Sequence, residues 1–184
     1  MSSQRIRALT FRLEDSTKDE RLKALSELQT IARRESKLVA ELSTQSLMEA
    51  LQEQGEAEEY AEVLSVFDIL LKTDEEDVAF ANLEILLQDR VNVEVLLELL
   101  EHSDMTVSVT TSQLLVDMHN INGDKLEQLI QDCPDGMNKL LLRLPNQNTE
   151  LLRNQALILL LKLTAKNVEI KKTMVFNEVR RPIL

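Results

Sequence analysis

Few side chains in this sequence could do chemistry, and their spacing argues against most of it. His102 and His119 are the only histidines, and Cys133 is the only cysteine. A thiolate nucleophile needs a base within hydrogen-bond reach. Neither histidine is close to Cys133 in sequence, so a surface or half-buried thiol before Pro134 is the simpler reading. A Cys–His pair stays open only if the fold brings a histidine to it. Asp117 lies two residues from His119 and so on a different helix face. There is no His-Glu-x-x-His, no phosphate-cradling loop and no Gly-rich dinucleotide turn. Three glycines in 184 residues could hardly build such loops.

The acidic clusters read no better as sites. Asp74-Glu75-Glu76-Asp77 would need Gly at the sixth position of a calcium loop, and that position is Ala79. Acids at a helix start, favoured by the helix dipole, explain the run. Glu94, Glu98 and Glu101 share a helix face at i, i+4 and i+7 spacing, which suits a solvated surface. The expectation is no catalytic residue, no metal, no cofactor and no enzyme.

Charge is unevenly placed. Residues 1–40 hold nine basic and six acidic side chains, net +3, whereas residues 41–104 hold two and eighteen, net -16. The acidic middle repels phosphate backbones, so nucleic acid is not an expected partner. The basic side chains Lys162, Lys166, Lys171, Lys172, Arg180 and Arg181 have only Phe176 among them, too few aromatics for a stacking platform. An ordinary helix surface is the first reading of that cluster, ahead of contact with anionic headgroups or an acidic partner.

The elements that must carry these residues are helices. Apolar residues make up 43 % of the chain but aromatics only 3 %. The core is therefore leucine, which loses little rotamer freedom in a helix. Three glycines and three prolines are too few for the turns of an all-β fold. One cysteine allows no intrachain disulfide and suits a reducing compartment. The longest apolar run, Ala156 to Leu161, is far short of the ~20 residues of a membrane span, and it reads as a buried helix core. Met1 to Leu13 holds Arg5, Arg7 and Arg12 and no acid. Mitochondrial transit peptides share that pattern, but a segment running straight into a capped helix fits the first helix of a solenoid better.

The pattern repeats. Leu96, Leu97 and Leu100 match Leu140, Leu141 and Leu144, while Leu114, Leu115 and Met118 match Leu159, Leu160 and Leu163. An Asn-bearing turn and a short helix follow each, with Leu126 matching Ile170. The offset is 44 or 45 residues. Leu47, Met48 and Leu51, then Leu64, Phe67, Leu70 and Leu71, form a fainter earlier unit. Three helices in roughly 40–47 residues is the period of HEAT and armadillo arrays. The predicted fold is all-α: an armadillo/HEAT-type right-handed helical solenoid of about four three-helix repeats. Capping boxes are predicted at Thr17–Glu20 and Thr73–Glu76. Pro134 is placed at a first helical position, Pro145 as a helix stop, Gly123 between two helices and Gln52 to Glu59 in a loop. Arg181-Pro182-Ile183-Leu184 reads as the start of another helix with no polar capping repeat after it. The expectation is therefore one domain over residues 1–184, truncated at its C-terminal end.

Certain residues go further. Asn92-Val93, Leu96-Leu97, Leu99-Leu100-Glu101, Asp104, Val107 and Leu114-Leu115 lead to Ile130 and Pro134-x-Gly136-Met137. Leu142, Leu144, Glu150, Arg153-Asn154, Leu159-Leu160-Leu161, Leu163-Thr164, Asn167, Ile170, Lys172 and Phe176 follow. This string resembles the armadillo head of the general vesicular transport factors, golgin-like tethers acting between endoplasmic reticulum and Golgi. Asp19 to Leu71 resembles the head's first repeats more weakly. Two features depart from the family: Val109-Thr110-Thr111 stands where a Trp-Pro-Gly-like insertion is common, and the long acidic loop is shortened to Thr73–Asp77.

The resemblance implies a non-enzymatic vesicle-tethering head in ER-to-Golgi and intra-Golgi traffic, binding Rab-family GTPases and SNARE or tethering-complex subunits. It implies a cytoplasmic protein held peripherally on Golgi and vesicle membranes. Family dimerisation depends on a coiled coil; no heptad run is present here, so a homodimer is expected only with that missing segment. Arg143, Arg153 and Asn154, flanking the loop between the best-matched helices, are the candidate partner-binding residues; Arg153 and Asn154 also suit a simple helix opening. The alternative is a generic helical-repeat adaptor or regulatory subunit, which a basic or Asn ladder would favour. Of such a ladder only Asn154 is visible.

Overall fold

Leucines spaced at i, i+3 and i+4 put one apolar stripe on each helix, and a computed structural model shows what the stripes do. It describes residues 2–53, 55–134, 136–143, 150–168 and 170–172. Among these there is no strand. The helices are α1 (Ser2–Glu14), α2 (Lys18–Gln52), α3 (Ala57–Leu71), α4 (Glu76–Leu86), α5 (Arg90–Leu99), α6 (Met105–Asp132), α7 (Gly136–Arg143) and α8 (Glu150–Lys166).

Both long helices are broken once. Glu35 in α2 has φ -134° and ψ 49°, and Asn122 in α6 has φ -145° and ψ 77°, neither of them helical. Each break turns one helix into two. The segments then fall into the expected three-helix units: residues 36–52 with α3 and α4, and α5 with residues 105–121 and 123–132. The third unit is α7, α8 and the helical residues 170–172. The leading pair is α1 with residues 18–34. Gly123 opens the second part of α6, between two helices as predicted.

The chain forms two compact units, residues 1–95 and 96–184. In the first, α2 packs on α1, α3 and α4. Leu25, Leu28, Leu47, Met48, Leu64, Phe67, Leu70, Leu83 and Leu86 are its buried core. Each such side chain contributes about 1.5–3 kcal/mol on burial. The Glu20 carboxylate accepts from the Thr17 N–H at 3.2 Å and from its hydroxyl at 3.0 Å, which ties down the start of α2. Glu56 and Glu59 form a second capping box at α3, where the Glu56 N–H donates to Glu59 at 3.0 Å.

In the second unit α6 packs on α7 and α8. Here the sequence repeat becomes a repeat of burial. Leu96 and Leu140 are buried, as are Leu114, Leu115 and Met118 with their partners Leu159, Leu160 and Leu163, and Leu126 with Ile170. The polar turns repeat too. Asn122 accepts from the Lys125 N–H at 3.3 Å, and Asn167, 45 residues on, accepts from the Ile170 N–H at 3.1 Å. An asparagine thus caps the third helix of both units. Asp104 caps α6, accepting from the Thr106 and Val107 N–H groups.

Several local expectations change. Thr73 is not a cap: its hydroxyl bonds the Glu75 carbonyl at 2.9 Å, and Glu75 is the residue before α4. Glu76 and Asp77 sit in the first turn, as the dipole argument requires. Pro134 lies in a turn two residues before α7 rather than at its first position. The loop at Gln52–Glu59 is shorter, because α2 runs to Gln52 and α3 starts at Ala57. Pro145, Leu144, Phe176, Arg180, Arg181 and the Arg181–Leu184 stretch lie outside the described residues. The apolar run Ala156–Leu161 is only partly core: Leu159 and Leu160 are buried, whereas Leu157, Ile158 and Leu161 are exposed. Six consecutive residues cover every side of a helix, so one packed face cannot bury them all. Among the described residues no helix is long and apolar enough to cross a membrane.

Candidate functional site

The residues that could do chemistry hold structure instead. Cys133 follows α6 as its C-cap; the thiol is buried, not at the surface, and the Cys133 carbonyl accepts from the Gly136 N–H at 3.1 Å. Spacing along the chain does not reveal that burial. His102 Nδ1 accepts from the Asp104 N–H at 3.0 Å and steadies the loop before α6. His119 lies across the break in α6, its Nε2 2.9 Å from Glu127 Oε1. The other oxygen of Glu127 accepts from Asn167 Nδ2 at 2.9 Å. This buried carboxylate therefore joins both halves of α6 to the turn after α8. A Cβ at Gly123 would stand 3.0 Å from the His119 ring, so the bare backbone there makes room for the imidazole. The sequence reading missed this triad. Its one visible signal was the Asn122–Asn167 repeat.

The acids behave as surface groups with structural partners. Glu98 meets Lys139 Nζ at 3.1 Å, while Glu101 is exposed beyond the end of α5. Among the described residues no group of three His, Cys, Asp or Glu side chains could hold a metal ion.

The first unit holds several close ion pairs. Arg21 reaches Glu59 at 2.7 Å, with the Glu59 side chain only 9 % exposed. Burial pushes the Glu59 carboxyl up, but the Arg21 hydrogen bond, the Glu56 N–H and the Arg21 and Lys18 charges outweigh it and hold it below its ordinary value. The same bond from Glu59 raises Arg21. Lys18 bridges Glu56 at 2.6 Å and Glu58 at 3.0 Å, and the Glu56 bond, then the Glu58 bond, raise its ammonium. An open groove of about 740 Å³ lies around the α2 break. Arg33, Arg34 and Lys37 line it from α2, with Asp68, Lys72, Asp74 and Glu75 from the end of α3 and the turn beyond. Walls so charged and open suit a protein surface better than a small molecule, whose sites are mostly apolar and enclosed.

Of the predicted partner residues, Arg153 and Asn154 stand exposed near the start of α8. Arg143 ends α7. Its side chain, and the loop of residues 144–149 that it was expected to flank, lie outside the described residues. The structure thus sets two of the three side by side.

No family model matches the chain. Individual relatives do. Golgin candidate 6 of Arabidopsis thaliana is 34 % identical over 103 residues, 56 % of this chain and 11 % of that protein. The general vesicular transport factor p115 of Bos taurus is 26 % identical over 196 residues, 99 % of this chain and 20 % of that protein. The Homo sapiens p115 is 31 % identical over 109 residues, covering 59 % and 11 %. The chain thus spans a fifth or less of the length of the curated relatives it matches. Crystal structures of Uso1-2 and Uso1-1 superpose with a TM-score of 0.80 at 16 % identity, over 95 % and 96 % of this chain and 30 % and 31 % of theirs. Identity that low speaks to fold alone, and the fold is the all-α, armadillo-like helical repeat read from the leucine pattern. In sequence the chain is therefore similar to the general vesicular transport factors, as the string from Asn92 to Phe176 indicated, and in fold it is similar to Uso1.

Proposed function

We propose that this chain is part of a non-enzymatic vesicle-tethering head, the first repeats of an armadillo-like domain working in ER-to-Golgi and intra-Golgi traffic. The observation that carries the reading is the similarity to the bovine general vesicular transport factor p115 along 99 % of the chain. A solenoid of stacked helices offers a long protein-binding surface and no enclosed pocket, in keeping with the charged open groove of the first unit. The partners on this reading are a Rab-family GTPase and SNARE or tethering-complex subunits. The chain sits peripherally on Golgi and vesicle membranes from the cytoplasmic side, and a homodimer forms only through a coiled coil that this sequence lacks. Arg143, Arg153 and Asn154 are the contact residues, with the two arginines as donors to partner carboxylates.

The test is capture of Rab GTPases, each loaded with GTP or GDP, by the purified chain. The expected result is selective capture of an ER-to-Golgi member in its GTP form, weakened ~10-fold by Arg153→Glu, about 1.4 kcal/mol of binding. Capture of no member by the chain would overturn the Rab assignment and leave the generic helical-repeat adaptor as the reading.

A further inference from the structure

The break in α2 falls inside the segment Arg33-Arg34-Glu35-Ser36, and that order of residues carries a chemistry of its own. Two arginines, three and two residues ahead of a serine, are what an arginine-directed serine kinase reads, because carboxylates of such a kinase pair with both guanidiniums. Arg-Arg-x-Ser occurs once in the 184 residues. Glu35 is the non-helical residue, so Ser36 is the first residue after the break. All four residues line the open groove of about 740 Å³. Ser36 is half-buried there and both arginines are exposed.

Two observations go with the motif. The first is an idle hydroxyl. Thr30, Ser43 and Thr44, on the same helix, each donate to the carbonyl four residues back. Ser36 Oγ makes no such bond, and among the described residues it has no hydrogen-bond partner. The second is charge without a partner. Arg5, Lys18 and Arg21 are each paired with a glutamate, whereas Arg33, Arg34 and Lys37 enter no ion pair among the described residues. The acids of the groove are placed otherwise. Glu35 accepts from the Ser2 hydroxyl at 2.8 Å, Asp68 holds Lys72 at 2.6 Å, and Asp74 and Glu75 belong to the turn before α4. A phosphate on Ser36 is repelled by that turn and drawn to the three cations of α2.

We propose that Ser36 is a phosphorylation site for an arginine-directed serine kinase, and that its phosphate is held at the α2 break by Arg33, Arg34 and Lys37. In the transfer, Ser36 Oγ bonds the γ-phosphorus of ATP, the bond from that phosphorus to the β-phosphate oxygen breaks, ADP leaves, and the hydroxyl proton passes to the kinase. The product adds about -1.5 to -2 charge at pH 7 and three acceptor oxygens. Three unpaired positive charges on the groove wall then fall to a net of about one. Arg33 and Arg34 end the first part of α2 and Ser36 opens the second, so the phosphate ties the two parts together and puts negative charge at the N-terminal end of the second. The site follows from α2 and its groove and holds whether or not the chain tethers vesicles.

The experiment uses the full folded chain, ATP and the catalytic subunit of cyclic-AMP-dependent protein kinase, with the phosphate located by peptide mass spectrometry. Phosphate is expected at Ser36, and Ser36→Ala should lose it. Replacing both Arg33 and Arg34 by Ala should slow transfer to Ser36 at least ~10-fold. The two arginines are exposed, so the thermal midpoint of that variant stays in place, which separates lost recognition from lost folding. Once phosphorylated, the native chain should exchange the amides of residues 36–40 about 2- to 5-fold more slowly than before. A chain left unmodified at Ser36, while a peptide of residues 30–42 is phosphorylated, overturns the proposal, because the fold then hides the hydroxyl. Equal transfer with and without the two arginines overturns it as well. So does amide exchange that is unchanged or faster after phosphorylation, which would mean that the cations of α2 do not hold the phosphate against Asp74 and Glu75.

Discussion

Among the described residues, the more buried side-chain links within the two units differ in kind. In residues 1–95, among the described residues, long charged side chains reach from one helix to another: Arg5 to Glu27, Lys18 to Glu56 and Glu58, and Arg21 to Glu59. Among the described residues of 96–184, short side chains make buried links. His119 and Asn167 converge on Glu127, and the Ser108 hydroxyl donates to the Leu100 carbonyl at 2.9 Å. The contrast explains part of the uneven charge. Lys18 and Arg21 belong to the basic first forty residues, and Glu56, Glu58 and Glu59 to the acidic stretch that follows. Some of that acidity is therefore consumed inside the first unit rather than offered to a partner. In the second unit, Lys139 bridges Glu98 at 3.1 Å, and Leu157, Ile158 and Leu161 stand exposed on α8.

The largest effect should come from testing the two sides of α8 against each other. Leu159→Ala removes a fully buried side chain and should cost about 2–5 kcal/mol. Leu161→Ala, two residues on, should change stability by no more than ~0.5 kcal/mol. The measurement is the shift of the urea midpoint for the second unit. A comparable loss at both positions would mean Leu161 is covered within the chain, and the contrast between the two sides of α8 would disappear. Next in size is Glu127→Ala. It leaves the His119 ring nitrogen and the Asn167 amide without their carboxylate partner in a buried place, a loss of about 1–3 kcal/mol. Hydrogen exchange should then rise at residues 123–132 and at Ile170, while the first unit keeps its protection.

The repeat was legible because leucine burial follows helical period, and the 44- to 45-residue offset paired Leu114 with Leu159 and Leu126 with Ile170, all of them buried. The breaks at Glu35 and Asn122 were harder to place, since helical segments on both sides keep their apolar period through a single non-helical residue. Gly123 marked the second break. Nothing comparable marks Glu35, where Ser36 and Lys37 continue an ordinary helical pattern. The Thr73 cap was misplaced because Thr, Asp and Glu crowd that turn and any of them can cap. Contacts between helices were invisible: nothing in spacing links Arg21 to Glu59, 38 residues away, or Glu127 to Asn167, 40 residues away. The candidate site was legible only as far as Arg153 and Asn154 are exposed. The neighbouring Leu157, Ile158 and Leu161 were misread as core, because a run of six apolar residues carries no mark of which half meets water.

A smaller effect comes from pH in the first unit. The Glu59 carboxyl is held below its ordinary value in the fold. A lowered carboxylate contributes stability that is complete above the unfolded value of about 4.3 and is lost as pH falls through the folded value. Thermal midpoints of the first unit should therefore fall more steeply below about pH 4.5 in the native chain than in Glu59→Gln. Near pH 7 Arg21→Ala should cost about 1–3 kcal/mol, because it leaves a mostly buried carboxylate without its cation. The Arg21 side chain is 31 % exposed, and solvent keeps the loss toward the lower end of that range.

The smallest effect should be at Arg5–Glu27, and it sharpens what distinguishes a linking pair from a decorative one. The chemistry is the same as at Arg21–Glu59, an arginine and a glutamate on neighbouring helices, at 2.9 Å against 2.7 Å. Burial differs: the side chains of Arg5 and Glu27 are 66 % and 43 % exposed, whereas those of Arg21 and Glu59 are 31 % and 9 % exposed. Water already solvates both members of the outer pair, so contact gains little Coulomb energy and costs side-chain entropy. Arg5→Ala should shift the first unit's stability by ~0.5 kcal/mol or less, and 0.5 M salt should erase even that by screening. A double-mutant cycle reads both pairs on one scale. Equal coupling at the two would show that the charged links work through proximity alone, and the contrast between the inner and outer pair would then rest on nothing but position.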